Sequence, residues 1–245
     1  MRTLRIPVVI LFFLLPFSPQ KSSAQIWKNI LKSSGSGGEP SSTEIISAIK
    51  QALEKGTGES AGRLAAQNGF FGNAAVKLLF PPEAKRAEQT LRGLGLNKLC
   101  DNVILSLNRA AEDAAKEAAP IFVSAIRQMT VKDASGILLG ADTAATGYFK
   151  RTTRAELAKK FAPVIDASLA KVGATRYWGE VMTRYNKIPF GQKINPDLSA
   201  YATNKAIEGL FTEIAKEELK IRQQIGARNT PLLQKVFSYA DKKKE

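Results

Sequence analysis

Apolar positions recur every three or four residues along most of this chain and alternate almost nowhere, which is the spacing of helices and not of half-buried strands. Ile45, Ile46, Ile49 and Leu53 follow Ser41-Ser42-Thr43-Glu44. In that tetrad a hydroxyl can accept from a free backbone N–H while the Glu reaches back to another, so a helix is predicted to open there. Gly56 and Gly58 weaken the pattern, and Ala61, Leu64 and Ala65 continue it. Gly69-Phe70-Phe71-Gly72-Asn73 then breaks it, with two rings placed to plug a core. Val76 to Phe80, ahead of Pro81-Pro82, reads as extended and is the one strand candidate.

Further helices follow the same rule. Pro82 sits where proline opens a helix at least cost, and this helix runs to about Gly93. Leu96, Leu99, Val103, Leu107, Ala110 and Ala114 mark a long helix. Pro120 starts the next, with Phe122, Ile126 and Met129 inward. Thr130 to Asp133 repeats the capping signal before Ile137-Leu138-Leu139. Gly140-Ala141-Asp142-Thr143 is a turn into a helix with Asp142 as its expected N-cap. Leu157, Phe161, Ile165, Leu169 and Val172 form a further helix, kinked or divided by Pro163 and stopped by Gly173. One helix passes through Tyr177, Val181 and Tyr185. Another opens at Asn195-Pro196-Asp197 and faces inward through Ile207, Leu210, Ile214, Ile221 and Ile225. Thr230-Pro231 caps the last, which carries Leu232, Leu233, Val236 and Phe237. The expected fold is all-α: one irregular bundle of eight or nine helices, with at most one short β ribbon and no repeat period.

The N-terminus has a different pattern. Arg2 and Arg5 precede the apolar run Ile6–Phe17, and Ser22-Ser23-Ala24 follows. A basic start, a short apolar middle and small residues make a secretory signal peptide, with cleavage expected after Ala24. The run is too short for a spanning helix, which needs roughly 20 apolar residues. The organisation read from the chain is a signal peptide over 1–24, a Gly/Ser-rich linker over 25–43, a helical domain over 44–240 and a basic tail over 241–245. Export to the periplasm or envelope is expected, with no transmembrane segment in the mature chain.

Composition narrows the chemistry. The formal net charge is +14, and residues 131–245 hold 20 basic against 12 acidic side chains. Such a surface attracts anions: phosphates, lipid headgroups or acidic glycans. Export and the absence of any basic-aromatic module argue against nucleic acid. With no histidine, Ser-His-Asp triads, Cys-His dyads and histidine-bearing zinc sites are excluded. The single cysteine, Cys100, cannot form an internal disulfide and reads as a small buried apolar residue. No cofactor or metal is implied.

Few motifs carry chemistry. Ser47-Ala48-Ile49-Lys50 and Ser168-Leu169-Ala170-Lys171 both match the S-x-x-K of penicillin-binding proteins, but the companion S-D-N and K-T-G motifs are absent. Gly56, Gly58 and Gly62 fit no phosphate-cradling spacing and read as helix packing. Glu112, Glu180 and Asp142 are the carboxylates to consider for a glycosidase pair. The candidate ligand-binding set is Asn108, Arg109, Asp142, Thr143 and Arg151, with Lys150 and Arg154 alongside. Arg109 lies among Leu105, Leu107, Ala110 and Ala111, and a guanidinium buried there requires an acidic partner or an anionic ligand. Asp142 or Asp133 is the expected partner.

Several stretches together resemble the domain-of-unknown-function family 4197. They are Gly69-Phe70-Phe71-Gly72-Asn73, Asn108-Arg109-Ala110-Ala111-Glu112, Pro120-Ile121-Phe122-Val123 with Ala125-Ile126, Met129-Thr130, Gly140 to Thr146, Tyr148-Phe149 and Thr203-Asn204-Lys205-Ala206. The resemblance implies an exported helical domain and no activity. A non-enzymatic binding or interaction protein of the bacterial envelope is therefore expected, for an anionic small molecule, a lipid or another envelope protein. A carboxylate-based hydrolase of envelope polymers is the alternative.

Overall fold

The chain divides into two units, Met1–Gly38 and Glu39–Glu245. The computed structural model describes residues 38–171, 173–175, 178–179, 182 and 197–244. The predicted signal peptide, most of the linker, Tyr177, Glu180, Val181, Tyr185 and Asn195-Pro196 lie outside the described residues.

Eight α-helices are described, all in the second unit: α1 (Ser42–Ala65), α2 (Lys85–Gly93), α3 (Asn97–Ala115), α4 (Ala118–Gln128), α5 (Val131–Leu139), α6 (Ala144–Lys171), α7 (Leu198–Gln223) and α8 (Pro231–Lys244). No strand occurs among the described residues, so the fold is an all-α bundle. Both capping boxes form, at Ser41/Glu44 and Thr130/Asp133. Asp197 and Thr230 cap α7 and α8 by accepting from the N–H groups of Ala200 and Leu233.

Helices α1, α3, α6 and α7 form the core, with α4, α5 and α8 closing around α1. On α3, Ala110, Ala111, Ala114 and Ala115 are buried. These small side chains let α6 and α7 approach closely, while Phe122, Phe149, Phe161 and Phe211 fill the larger gaps. Phe122 and Phe149 meet edge to face at 5.2 Å between ring centres, a favoured aromatic geometry. No described helix is long and apolar enough to cross a membrane.

Several local expectations are corrected. Pro163 does not divide its helix: α6 continues through it for 28 residues. Pro163 is exposed, and with no N–H it cannot donate to the Lys159 carbonyl. Val76–Phe80 finds no neighbouring strand among the described residues. Instead Asn108 serves as the ladder partner, accepting from Leu78 N–H at 2.8 Å and donating to Leu78 C=O at 2.8 Å. Helix α7 stops at Gln223, which leaves Ile225 71% exposed in a short 3₁₀ turn, not facing inward. Helix α8 runs to Lys244, and its Asp241 pairs with Arg228.

Candidate functional site

The five candidate residues separate into two groups. Asn108 is fully buried, and besides the two Leu78 bonds its amide donates to Ile104 C=O at 2.7 Å. No polar atom of its side chain is left for a ligand. Arg109 pairs with Glu112 at 2.6 Å and donates to Asn68 Oδ1 at 2.9 Å. Its partner is therefore neither Asp142 nor Asp133. Glu112, 4% exposed, also accepts from the N–H groups of Phe70 and Phe71 through its other oxygen. These two residues hold the Gly69–Asn73 turn in place. The turn sends Phe70 into the core against Gly209 and leaves Phe71 under Lys77, whose Nζ stands 3.9 Å from the ring centre. Ser168, one of the S-x-x-K serines, donates to Asp113.

The second group lies where α6 begins. The N–H groups in the first turn of a helix carry partial positive charge and attract anions. Here they are satisfied from within. Glu218 of α7 accepts from Ala145 N–H and Thr146 N–H, each at 2.9 Å, and from the Thr146 hydroxyl at 2.8 Å. Arg222, one turn after Glu218, bonds back to it at 2.8 Å and donates to the Ile137 and Leu138 carbonyls at the end of α5. The pair sets its negative member at a helix start and its positive member at a helix end, as both helix dipoles require. Any anion bound beside this terminus must be held by side chains.

Such side chains line a groove of about 540 Å³ between α6 and α7. One wall carries Asp142, Thr143, Gly147 and Lys150, at helical spacing. The other carries Thr212, Lys216 and Leu219, above a floor made by Phe211 and Ala215. The Lys150 Nζ lies 5.7 Å from the Phe211 ring centre. Arg151 crosses Gly147, with Nη1 3.7 Å from where a Cβ would project. Asp142 and Thr143 therefore meet at this groove; Arg151 is not part of its lining, and Asn108 and Arg109 belong to the Gly69–Asn73 network.

Charge on the groove is uneven. Lys150 and Arg154 share Glu208, at 3.9 and 2.5 Å. The Arg154 hydrogen bond holds the Glu208 carboxyl below the usual carboxylate range. Lys216 pairs with Glu213 at 2.6 Å. Burial works to raise the Glu213 carboxyl, but hydrogen bonds from Lys216 and Asn73 outweigh it and keep it low. Arg151 is exposed and has no ion-pair partner among the described residues. Asp142 is the one carboxylate in the lining. Among the described residues no three Cys, Asp or Glu side chains gather where a metal could be held.

The α7 wall escaped the sequence reading because Thr212, Ala215, Lys216 and Leu219 look like an ordinary outward helix face. The signal in the chain was Leu219, an apolar residue out of phase with Ile207, Leu210 and Ile214; it is 39% exposed. Cys100 is buried, and burial pushes its thiol up. No curated protein and no solved structure matches the chain. A family model described as a protein of unknown function, DUF4197, matches residues 39–238, which takes in the Gly69–Asn73 turn, the Glu218–Arg222 hub and the groove. The chain belongs to the DUF4197 family.

Proposed function

We propose that this chain is an exported, envelope-associated, non-enzymatic binding protein that holds an anionic small molecule or lipid headgroup in the α6–α7 groove. One observation carries the reading: an open groove joins an apolar floor, Phe211 and Ala215, to a rim bearing Lys150 and Lys216 against the single carboxylate Asp142. The volume is within the range of small-molecule sites, and charge-assisted bonds from such cations are the strong ones for anionic groups. Thr143 adds an exposed hydroxyl.

The hydrolase reading needs two free carboxylates about 5 to 9.5 Å apart. Glu112 is filled by two N–H donors and Arg109, and the groove lining holds no second carboxylate beside Asp142. Export rests on Arg2, Arg5, the apolar run Ile6–Phe17 and Ser22-Ser23-Ala24; N-terminal sequencing of the purified protein is expected to start at Gln25.

The test is mass spectrometry of small molecules that co-purify with the native chain, compared with Lys150→Ala/Lys216→Ala. An anionic species present in the first sample and depleted in the second supports the proposal. Identical ligand sets refute it.

A further inference from the structure

We propose that the turn joining α2 to α3 is a membrane-docking knuckle, which seats Leu94 and Leu96 at the headgroup level of an anionic bilayer. The inference stands apart from the groove, whose lining includes no residue of α2 or of this turn.

The turn is built to display its leucines. Helix α2 ends in a Schellman motif: Gly95, at φ +81°, donates to Arg92 C=O at 2.9 Å, and Leu96 donates to Leu91 C=O at 3.0 Å. The backbone conformation at Gly95 is one that L side chains rarely adopt. This fixed stop places Leu94 at the helix end with 70% of its surface exposed and Leu96 with 42%. Every residue from Gly93 to Lys98 is exposed, so the turn projects as a ridge and offers no pocket. Below it, α2 packs chiefly on α3, with Ala87 and Leu91 facing the core.

The charge identifies the occupant. Lys98 in the turn, and Lys85 and Arg86 at the start of α2, about 12 Å away along the helix, are exposed and have no ion pair among the described residues, while Arg92 is engaged by Glu88 and Asp101. Glu83 is the one carboxylate of this region without such a pair. A projecting pair of leucines with an excess of cations fits an anionic lipid surface, where each lysine or arginine strengthens binding about fivefold, from about 1 kcal/mol. A protein partner would need about 800 Å² of matched surface on each side, which a six-residue ridge does not present.

The experiment uses the full chain carrying Leu94→Cys labelled with an environment-sensitive fluorophore, a site the buried Cys100 leaves to be labelled selectively. Vesicles contain equal phosphatidylglycerol and phosphatidylcholine, or phosphatidylcholine alone. The expected result is a blue shift and at least a doubling of emission at position 94 with the anionic vesicles. It should weaken in high salt and be absent when the label sits at Lys160→Cys. Leu94→Ser should lower partitioning roughly tenfold, from the apolar area that no longer leaves water. Three outcomes overturn the proposal: no change at position 94, equal changes at 94 and 160, or a change with protein concentration alone, which would mean a second copy covers the knuckle. Loss of vesicle binding in Lys150→Ala/Lys216→Ala, with Leu94→Ser unaffected, would place the lipid in the groove instead.

Discussion

Replacing Glu218 by Ala should be among the most damaging single changes in the molecule. The side chain is 9% exposed and answers five donors: two N–H groups of α6, the Thr146 hydroxyl and two nitrogens of Arg222. Its removal leaves the Arg222 guanidinium, 7% exposed as a side chain, without its counter-charge and uncaps a 28-residue helix. Removing one member of a buried pair costs about 3–5 kcal/mol. For a domain of 150–250 residues each kcal/mol shifts the midpoint by about 2–4 °C, so the melt should fall by roughly 10 °C. Urea unfolding followed by circular dichroism gives the free energy directly. Glu208→Ala is the control, because its pair with Arg154 is nearly half exposed and such pairs contribute at most about 1 kcal/mol. The Glu218→Ala/Arg222→Ala double variant should lose clearly less than the sum of the two single losses. A loss under about 1 kcal/mol for Glu218→Ala, or simple additivity in the double variant, would refute the hub.

Other outcomes are expected on the same physical grounds. A Cβ at Gly209 would stand 2.6 Å from the Phe70 ring and 3.3 Å from Val76 Cβ; Gly209→Ala should therefore cost about 1–3 kcal/mol by overpacking, and Phe70→Leu in the same chain should recover part of that loss in a urea titration. Arg228 is 2% exposed and joins the Ile221 and Arg222 carbonyls to Asp241, so Arg228→Ala should lower stability by about 3 kcal/mol, and ending the chain at Ala240 should lower it measurably too; an unchanged melt after truncation would contradict the pairing. Glu44 is held low chiefly by its Lys235 hydrogen bond, Asp113 by Lys116, Asp133 by Thr130 and Glu208 by Arg154. A folded-state value below the unfolded one stabilises above the unfolded range and is lost on acidification; stability should accordingly fall as pH drops below about 4.5, whereas with no histidine the curve should show no imidazole step near pH 6.5.

Helix starts were readable from the chain because their partners are local. Ser41 and Glu44, Thr130 and Asp133, and Thr230 with Leu233 each close a bond within three residues. Core faces were readable for the same reason, as on α6, where Leu157, Phe161, Ile165 and Leu169 are all fully buried. What escaped depends on distant residues. Asn108 looked like a ligand group because its partner, Leu78, lies 30 residues away. Glu218, which accepts from the first-turn N–H groups of α6, was not legible at that helix start because it comes 73 residues after Ala145. Arg109 was rightly read as needing an acid, but Glu112 went unconsidered as its partner although it lies on the next helical turn. The groove is of the second kind: its two walls are 60 or more residues apart in sequence, and only packing of α6 on α7 makes a concave surface of them.

Isothermal titration of the full chain with dihexanoyl phosphatidic acid, kept below its micellar concentration, tests ligand binding in that groove most directly. Saturable one-to-one binding is expected, at least tenfold weaker in Lys150→Glu/Lys216→Glu and unchanged in Lys160→Glu. No saturable heat, or equal weakening in both variants, would contradict it.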